Sequence, residues 1–180
     1  RGVGRSVRQT LDELMPPATG VVLDLRGNPG GLLDEAVEVA SAFLDGGVVV
    51  SYDRRGAGRT TLRALSRGDV RTPLVVLVDS STASAAEVTA AALQDRQRAV
   101  VVGTRTFGKG VIQEPSRLSD GSILDVTVGR YYTPSGREIQ GVGVEPDVLV
   151  DDAAGPAVAE QRALEVLTGL VAAAGISGRG

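Results

Sequence analysis

Residues 74–94, LVVLVDSSTASAAEVTAAALQ, decide the fold. The first five are valine and leucine with no polar alternation, the composition of a strand buried on both faces. Ser80 to Thr82 is a polar break. From Ser84 to Gln94 an alanine-rich run has high helix propensity. A buried strand that passes through a short loop into a helix is one step of an α/β core.

Outward from this stretch the pattern repeats. Residues 20–25 (GVVLDL) predict a second short buried strand, residues 26–31 (RGNPGG) a loop, and residues 32–44 a helix. Leu33, Val37, Ala40, Ala42 and Leu44 fall roughly on one face of that helix, and Gly46-Gly47 ends it. Residues 99–102 (AVVV) predict a third buried strand, followed by a loop from Gly103 to Gly110. Two hairpins are expected: 48–52 with 59–64 around the Arg55–Gly58 turn, and 111–114 with 122–132 around Ser119-Asp120-Gly121. Thr133-Pro134-Ser135-Gly136 reads as a further turn. A helix over 6–14, with Ser6 as its cap and Met15-Pro16-Pro17 as its stop, should open the chain. A helix over 157–174 should close it, with a frayed Ser/Gly-rich tail beyond. The expected architecture is an α/β core with an added β section in its second half.

Composition removes whole classes of chemistry. The 180 residues contain no histidine and no cysteine. That excludes Ser-His-Asp catalysis, cysteine nucleophiles, thiolate zinc sites and imidazole metal sites. No acidic cluster of the calcium-loop kind is visible, so neither a metal nor a cofactor is expected. A net charge of −3 without a basic stripe gives no reason to expect nucleic acid. No apolar run approaches the ~18 residues that suggest a membrane span. The chain opens on Arg1 with no charged-then-apolar leader, as expected of a fragment or mature segment. Aromatic residues are 3%, so the core must be aliphatic. Of 19 basic residues only Lys109 is a lysine. Arginine does not give up its proton, so Lys109 alone can supply a basic nitrogen.

Three segments carry possible chemistry. Ser84 falls at the start of the alanine-rich helix, and the Ala85 amide after it has no helical partner. Such an amide at the positive end of a helix suits a developing oxyanion, although a serine at this place also serves simply as a cap. The loop Gly103-Thr-Arg-Thr-Phe-Gly-Lys-Gly110 holds the lone lysine between glycines. It matches G-x-x-x-x-G-K, but Gly110 stands where a phosphate-binding loop needs Ser or Thr, and VIQEP continues as strand rather than helix. A plain surface lysine is the other reading. Asp24-Leu-Arg-Gly-Asn-Pro-Gly-Gly31 runs from strand to glycine-rich loop to helix; its amides could complete an oxyanion hole or merely turn the chain. A lysine near its unperturbed pKa of about 10.4 is a poor base at neutral pH, and an apolar setting would favour the neutral amine. Phe107, Val111 and Ile112 are the expected walls, and Gln113 could hydrogen-bond the amine without adding charge.

Taken in order, LDLRGNPGG (23–31), STASAAEV (81–88), ALQD (92–95), RTFGKGVIQ (105–113) and YYTPSGREIQGVGVEPDV (131–148) resemble the carboxy-terminal processing, or tail-specific, peptidases of family S41. The resemblance covers about residues 18–150. It implies a fold related to Clp protease and crotonase, with a peptidase core over 1–150 and a C-terminal helix and tail over 151–180. It implies Ser84 as nucleophile, Lys109 as general base and Gln113 as the residue that orients the lysine. The Ala85 amide and one amide of Gly30-Gly31 would form the oxyanion hole, and Asp95 would support the helix end. The implied partner is a polypeptide substrate, cut near its carboxyl end outside the cytoplasm, and an oligomer is possible. Members normally carry a PDZ domain before this core, expected upstream of this chain. One departure is the sequence Ser84-Ala85-Ala86-Glu87, where the family usually has Ser-Ala-Ser-Glu. A catalytically silent ligand- or peptide-binding module of the same fold is the alternative.

Overall fold

The computed structural model describes residues 2–14, 18–65 and 67–175. The Met15-Pro16-Pro17 stop and the tail beyond residue 175 lie outside them. Four parallel strands form the first sheet: β1 (Val21–Asp24), β4 (Leu74–Val78), β5 (Val100–Gly103) and β8 (Val148–Leu149), in the order β1-β4-β5-β8. The second sheet is antiparallel. It contains β2 (Val48–Arg54), β3 (Gly58–Arg63), β6 (Val111–Arg117) and β7 (Ile123–Tyr132), in the order β3-β2-β7-β6. Helices α1 (Val3–Leu14), α2 (Leu33–Ser41), α3 (Ala85–Asp95) and α4 (Pro156–Ala173) complete the fold.

The lack of alternation in Leu74–Val78 has its cause in the packing, because both faces of β4 are covered. Leu74, Val76 and Val78 join a core with Ala40 and Phe43, with Val88 and Leu93 of α3, and with Val49, Val50 and Tyr131 of the second sheet. Val75 and Leu77 point the other way, onto Ala163, Val166 and Leu167 of α4. Burial of aliphatic area on both faces is the main stabilising term in a chain with so few aromatic residues.

The helical and strand expectations hold in kind, with shifted edges. α1 begins at Val3, so Ser6 lies inside the helix and does not cap it; its hydroxyl donates to the Gly2 carbonyl at 3.1 Å. α2 stops at Ser41, yet Phe43 and Leu44 beyond it remain buried, because the turn folds them under the core. The two-residue strand β8 has no counterpart in the sequence reading. Val148 and Leu149 become a strand only because β5 offers them a parallel edge. No helix among the described residues is long and apolar enough to cross a membrane.

Parallel pairing sets the position of the site. Leu77 lies beside Asp24 on one side and Val102 on the other, so β1, β4 and β5 end at one edge of the sheet. The loops that leave them, 25–32, 79–84 and 104–110, therefore converge there. The carboxyl edge of a parallel sheet is the usual place for a ligand crevice.

Candidate active site

Hydrogen bonds lace the first two loops together. The Thr82 hydroxyl donates to the Leu25 carbonyl at 2.9 Å, and the Ala83 N–H donates to the Asn28 carbonyl at 2.9 Å. The Asp79 carboxylate accepts from the Gly27, Ser81 and Thr82 amides at 2.9–3.0 Å. Gly30, with φ +96°, lies so close to the next turn that a Cβ would sit 2.7 Å from the Ala83 carbonyl and 2.9 Å from the Ala85 nitrogen. Only glycine fits that torsion and that gap. The glycine loop is thereby pressed against the start of α3.

Ser84 holds φ 55° and ψ −119°, a conformation that non-glycine residues rarely adopt. Its N–H donates to Glu87 Oε2 at 2.8 Å. The Gly30 N–H donates to Asn28 Oδ1 at 2.9 Å. The Gly31 and Ala85 amides have no protein acceptor among the described residues. Of the two glycines, Gly31 is thus the one whose amide has no protein acceptor among the described residues.

Glu87 connects this turn to the lysine loop. The residue is 0% exposed. Oε2 accepts the Ser84 N–H and also the Lys109 N–H, each at 2.8 Å. Oε1 accepts the Gly108 N–H at 2.7 Å and the Thr106 hydroxyl at 2.5 Å. One buried carboxylate thus fixes the backbones of both Ser84 and Lys109. The Phe107 N–H adds a direct tie to the Thr82 carbonyl at 3.0 Å. The sequence pattern alone assigns Glu87 of Ser84-Ala85-Ala86-Glu87 no catalytic role. Its place three residues after a helix-start serine is the capping-box position, and that was the available signal.

Among the other expected residues, Gln113 lies on β6 opposite Thr127. It is exposed and makes no side-chain hydrogen bond to Lys109 among the described residues. Val111 and Ile112 are half-buried, but Phe107 is 68% exposed and does not wall the lysine as expected. Asp95 sits at the far end of α3, about 16 Å along the helix axis from Ser84. It accepts from Arg137 at 2.6 Å and from the Ser135 N–H at 2.9 Å, holding the 133–137 turn. Burial alone would raise its carboxyl, but hydrogen bonds from Thr133, Ser135 and Arg137 hold it below its ordinary value of 3.8. A depressed carboxylate adds stability that is present above the unfolded value and lost as pH falls through the folded one. Asp95→Asn should therefore lower the urea midpoint at pH 7, and the gap from the parent should close as pH falls below about 4. A gap that stays constant down to pH 2 would contradict this role for Asp95.

Arg26 ties the glycine loop to α4. It makes a two-pronged pair with Asp24 and donates to the Pro156 carbonyl at 2.7 Å. Beside the glycines is a cavity of about 430 Å³, with Leu23, Leu25, Leu32, Ala36, Val39 and Ala85 in its lining. Gly31 and Ala85, whose amides have no protein acceptor among the described residues, are also in its lining.

The description of Peptidase family S41 matches residues 2–150. The chain is 46% identical over 134 residues to a carboxy-terminal-processing protease of Bartonella bacilliformis, covering 73% of this chain and 31% of that protein. It is 44% identical over 165 residues to a carboxyl-terminal-processing protease of Synechocystis, covering 87% of this chain and 39% of that protein. The chain therefore spans between about a third and two fifths of these relatives. In structure it is similar to a photosystem II D1 C-terminal processing protease, with a TM-score of 0.77 at 44% identity, covering 86% of this chain and 41% of that one. A tricorn protease shares the fold, with a TM-score of 0.59 at 20% identity, covering 85% of this chain and 15% of that one. The α/β fold of the Clp protease and crotonase type is the one these neighbours have.

Proposed function

The chain belongs to peptidase family S41, and on that premise we propose that it is the catalytic core of a serine endopeptidase that cuts polypeptides near their carboxyl ends. The observation that carries this reading is Glu87, whose single Oε2 binds the amides of Ser84 and Lys109 together. A nucleophile and a base on separate loops need such a common anchor to keep their relative geometry.

In the proposed reaction Lys109, as neutral amine, takes the Ser84 hydroxyl proton while Oγ attacks a peptide carbonyl. The Ala85 and Gly31 amides receive the negative oxygen of the tetrahedral intermediate, and the helix start favours that charge. The C–N bond then breaks, Lys109 returns its proton to the leaving amine, and an acyl-Ser84 ester remains. Water, deprotonated by Lys109, hydrolyses the ester and restores the serine. Ser-Lys pairs are a recognised variant of the triad logic. Gln113 is kept in this reading as the group that orients the amine once substrate is bound. The apolar cavity beside Gly31 takes the side chain before the scissile bond. β6, an edge strand that directly follows Lys109, offers its outer backbone to an extended substrate. The substrate is met outside the cytoplasm, as the family resemblance implies.

A fluorophosphonate reagent tests whether the nucleophile is activated in the folded chain. Peptide mapping is expected to place the adduct on Ser84 and on no other serine, with no adduct in Ser84→Ala. A folded wild type that takes no label, or takes it elsewhere, removes Ser84 as nucleophile.

A further inference from the structure

The chain has two phenylalanines, and they meet opposite fates. Phe43 is 1% exposed in the core, whereas Phe107 is 68% exposed. Mobility of the local backbone does not explain the exposure. Thr106 before it and Gly108 after it are both bonded to Glu87, and its own N–H is bonded to Thr82. The ring is therefore held in water by a pinned backbone, two residues from Lys109. The neighbouring loop adds a second exposed apolar side chain. The Gly141 N–H donates to the Gly108 carbonyl at 2.9 Å, and Val142, next along, is 58% exposed. In a chain with few aromatic residues, two exposed apolar side chains on neighbouring, hydrogen-bonded loops near Lys109 mark a contact surface.

Resting on the peptidase reading above, we infer that Phe107 and Val142 form the subsite for the leaving segment of the substrate, and that it selects an apolar side chain just after the scissile bond. Chemistry fixes which side of the cut this surface serves. The acyl half must lie on the Gly31 and Ala85 side, where its carbonyl oxygen meets the free amides and its side chain meets the apolar cavity. The leaving amine must lie on the Lys109 side, because the proton taken from Ser84 goes to that nitrogen. Phe107 lies two residues before Lys109, and Val142 follows Gly141, whose N–H is bonded to the Gly108 carbonyl, so both belong to the loops around Lys109. The segment that starts at the leaving nitrogen passes over them.

The test uses the full chain and a peptide set that is constant up to the scissile bond and carries leucine, serine or aspartate immediately after it. Wild type should cleave the leucine peptide with kcat/KM roughly 10-fold or more above the aspartate peptide, the usual reach of one apolar contact. Phe107→Ala should bring that ratio close to one, and Phe107→Leu should restore most of it. Leu149→Ala, which removes an exposed apolar side chain on β8, should leave the ratio as it is in wild type. Cleavage with an unchanged ratio in Phe107→Ala overturns the subsite alone. Failure of wild type to cut any peptide of the set overturns the peptidase reading, and the subsite with it.

Discussion

Lys109→Arg is expected to fold normally and to cleave polypeptide about 10²–10⁴-fold more slowly than wild type, the usual contribution of a positioned base. The substitution keeps a long nitrogen-bearing side chain and the backbone N–H that donates to Glu87 Oε2 at 2.8 Å. What it removes is the capacity to exist as a neutral amine, since guanidinium does not deprotonate in proteins. Side-chain length and loop anchoring are thus nearly held constant while basicity is deleted. Lys109→Ala should be similarly slow. Steady-state kinetics on one peptide substrate, with circular dichroism to confirm the fold, provides the check. A rate near wild type in Lys109→Arg would eliminate the lysine as base.

Glu87→Ala is expected to cost both stability and activity, because four donors converge on this carboxylate. Deleting it leaves the amides of Ser84, Gly108 and Lys109 and the Thr106 hydroxyl without their acceptor inside the protein. Each buried donor left unpaired costs about 1–3 kcal/mol. With native stability of about 5–15 kcal/mol, the alanine variant should be largely unfolded or aggregated. Glu87→Gln separates the two effects. It keeps the shape and one acceptor oxygen but sets an NH₂ group against either the Ser84 and Lys109 amides or the Gly108 amide and the Thr106 hydroxyl. A protein that folds with a lowered urea midpoint and loses most of its cleavage is the expected result. Wild-type kinetics in Glu87→Gln would show that the shared anchor has no part in positioning the pair.

The fold was legible in the sequence wherever burial wrote itself into composition. Leu74–Val78 is covered on both faces and therefore reads as an unbroken apolar run, and α3 is helical by propensity and buried by position. β8 was not legible, since its strand character is borrowed from β5. At the site, Ser84, Lys109 and the glycine loop were visible as strand-loop-helix transitions and as the lone lysine. Glu87 acquires its role only when the 104–110 loop folds back over the start of α3, a contact between residues about twenty apart that no local pattern encodes. Phe107 was read as a wall of the lysine because it is close in sequence and apolar. On either side of Gly108, with its φ of +89°, Phe107 is 68% exposed and Lys109 is half-buried.

The most direct measurement is cleavage of an unfolded protein by the wild-type chain and by Ser84→Ala in parallel. The expected result is proteolysis by wild type that is absent in Ser84→Ala. Equal cleavage by both proteins, or none by a wild type shown to be folded, would contradict the assignment of this chain as a Ser-Lys peptidase core.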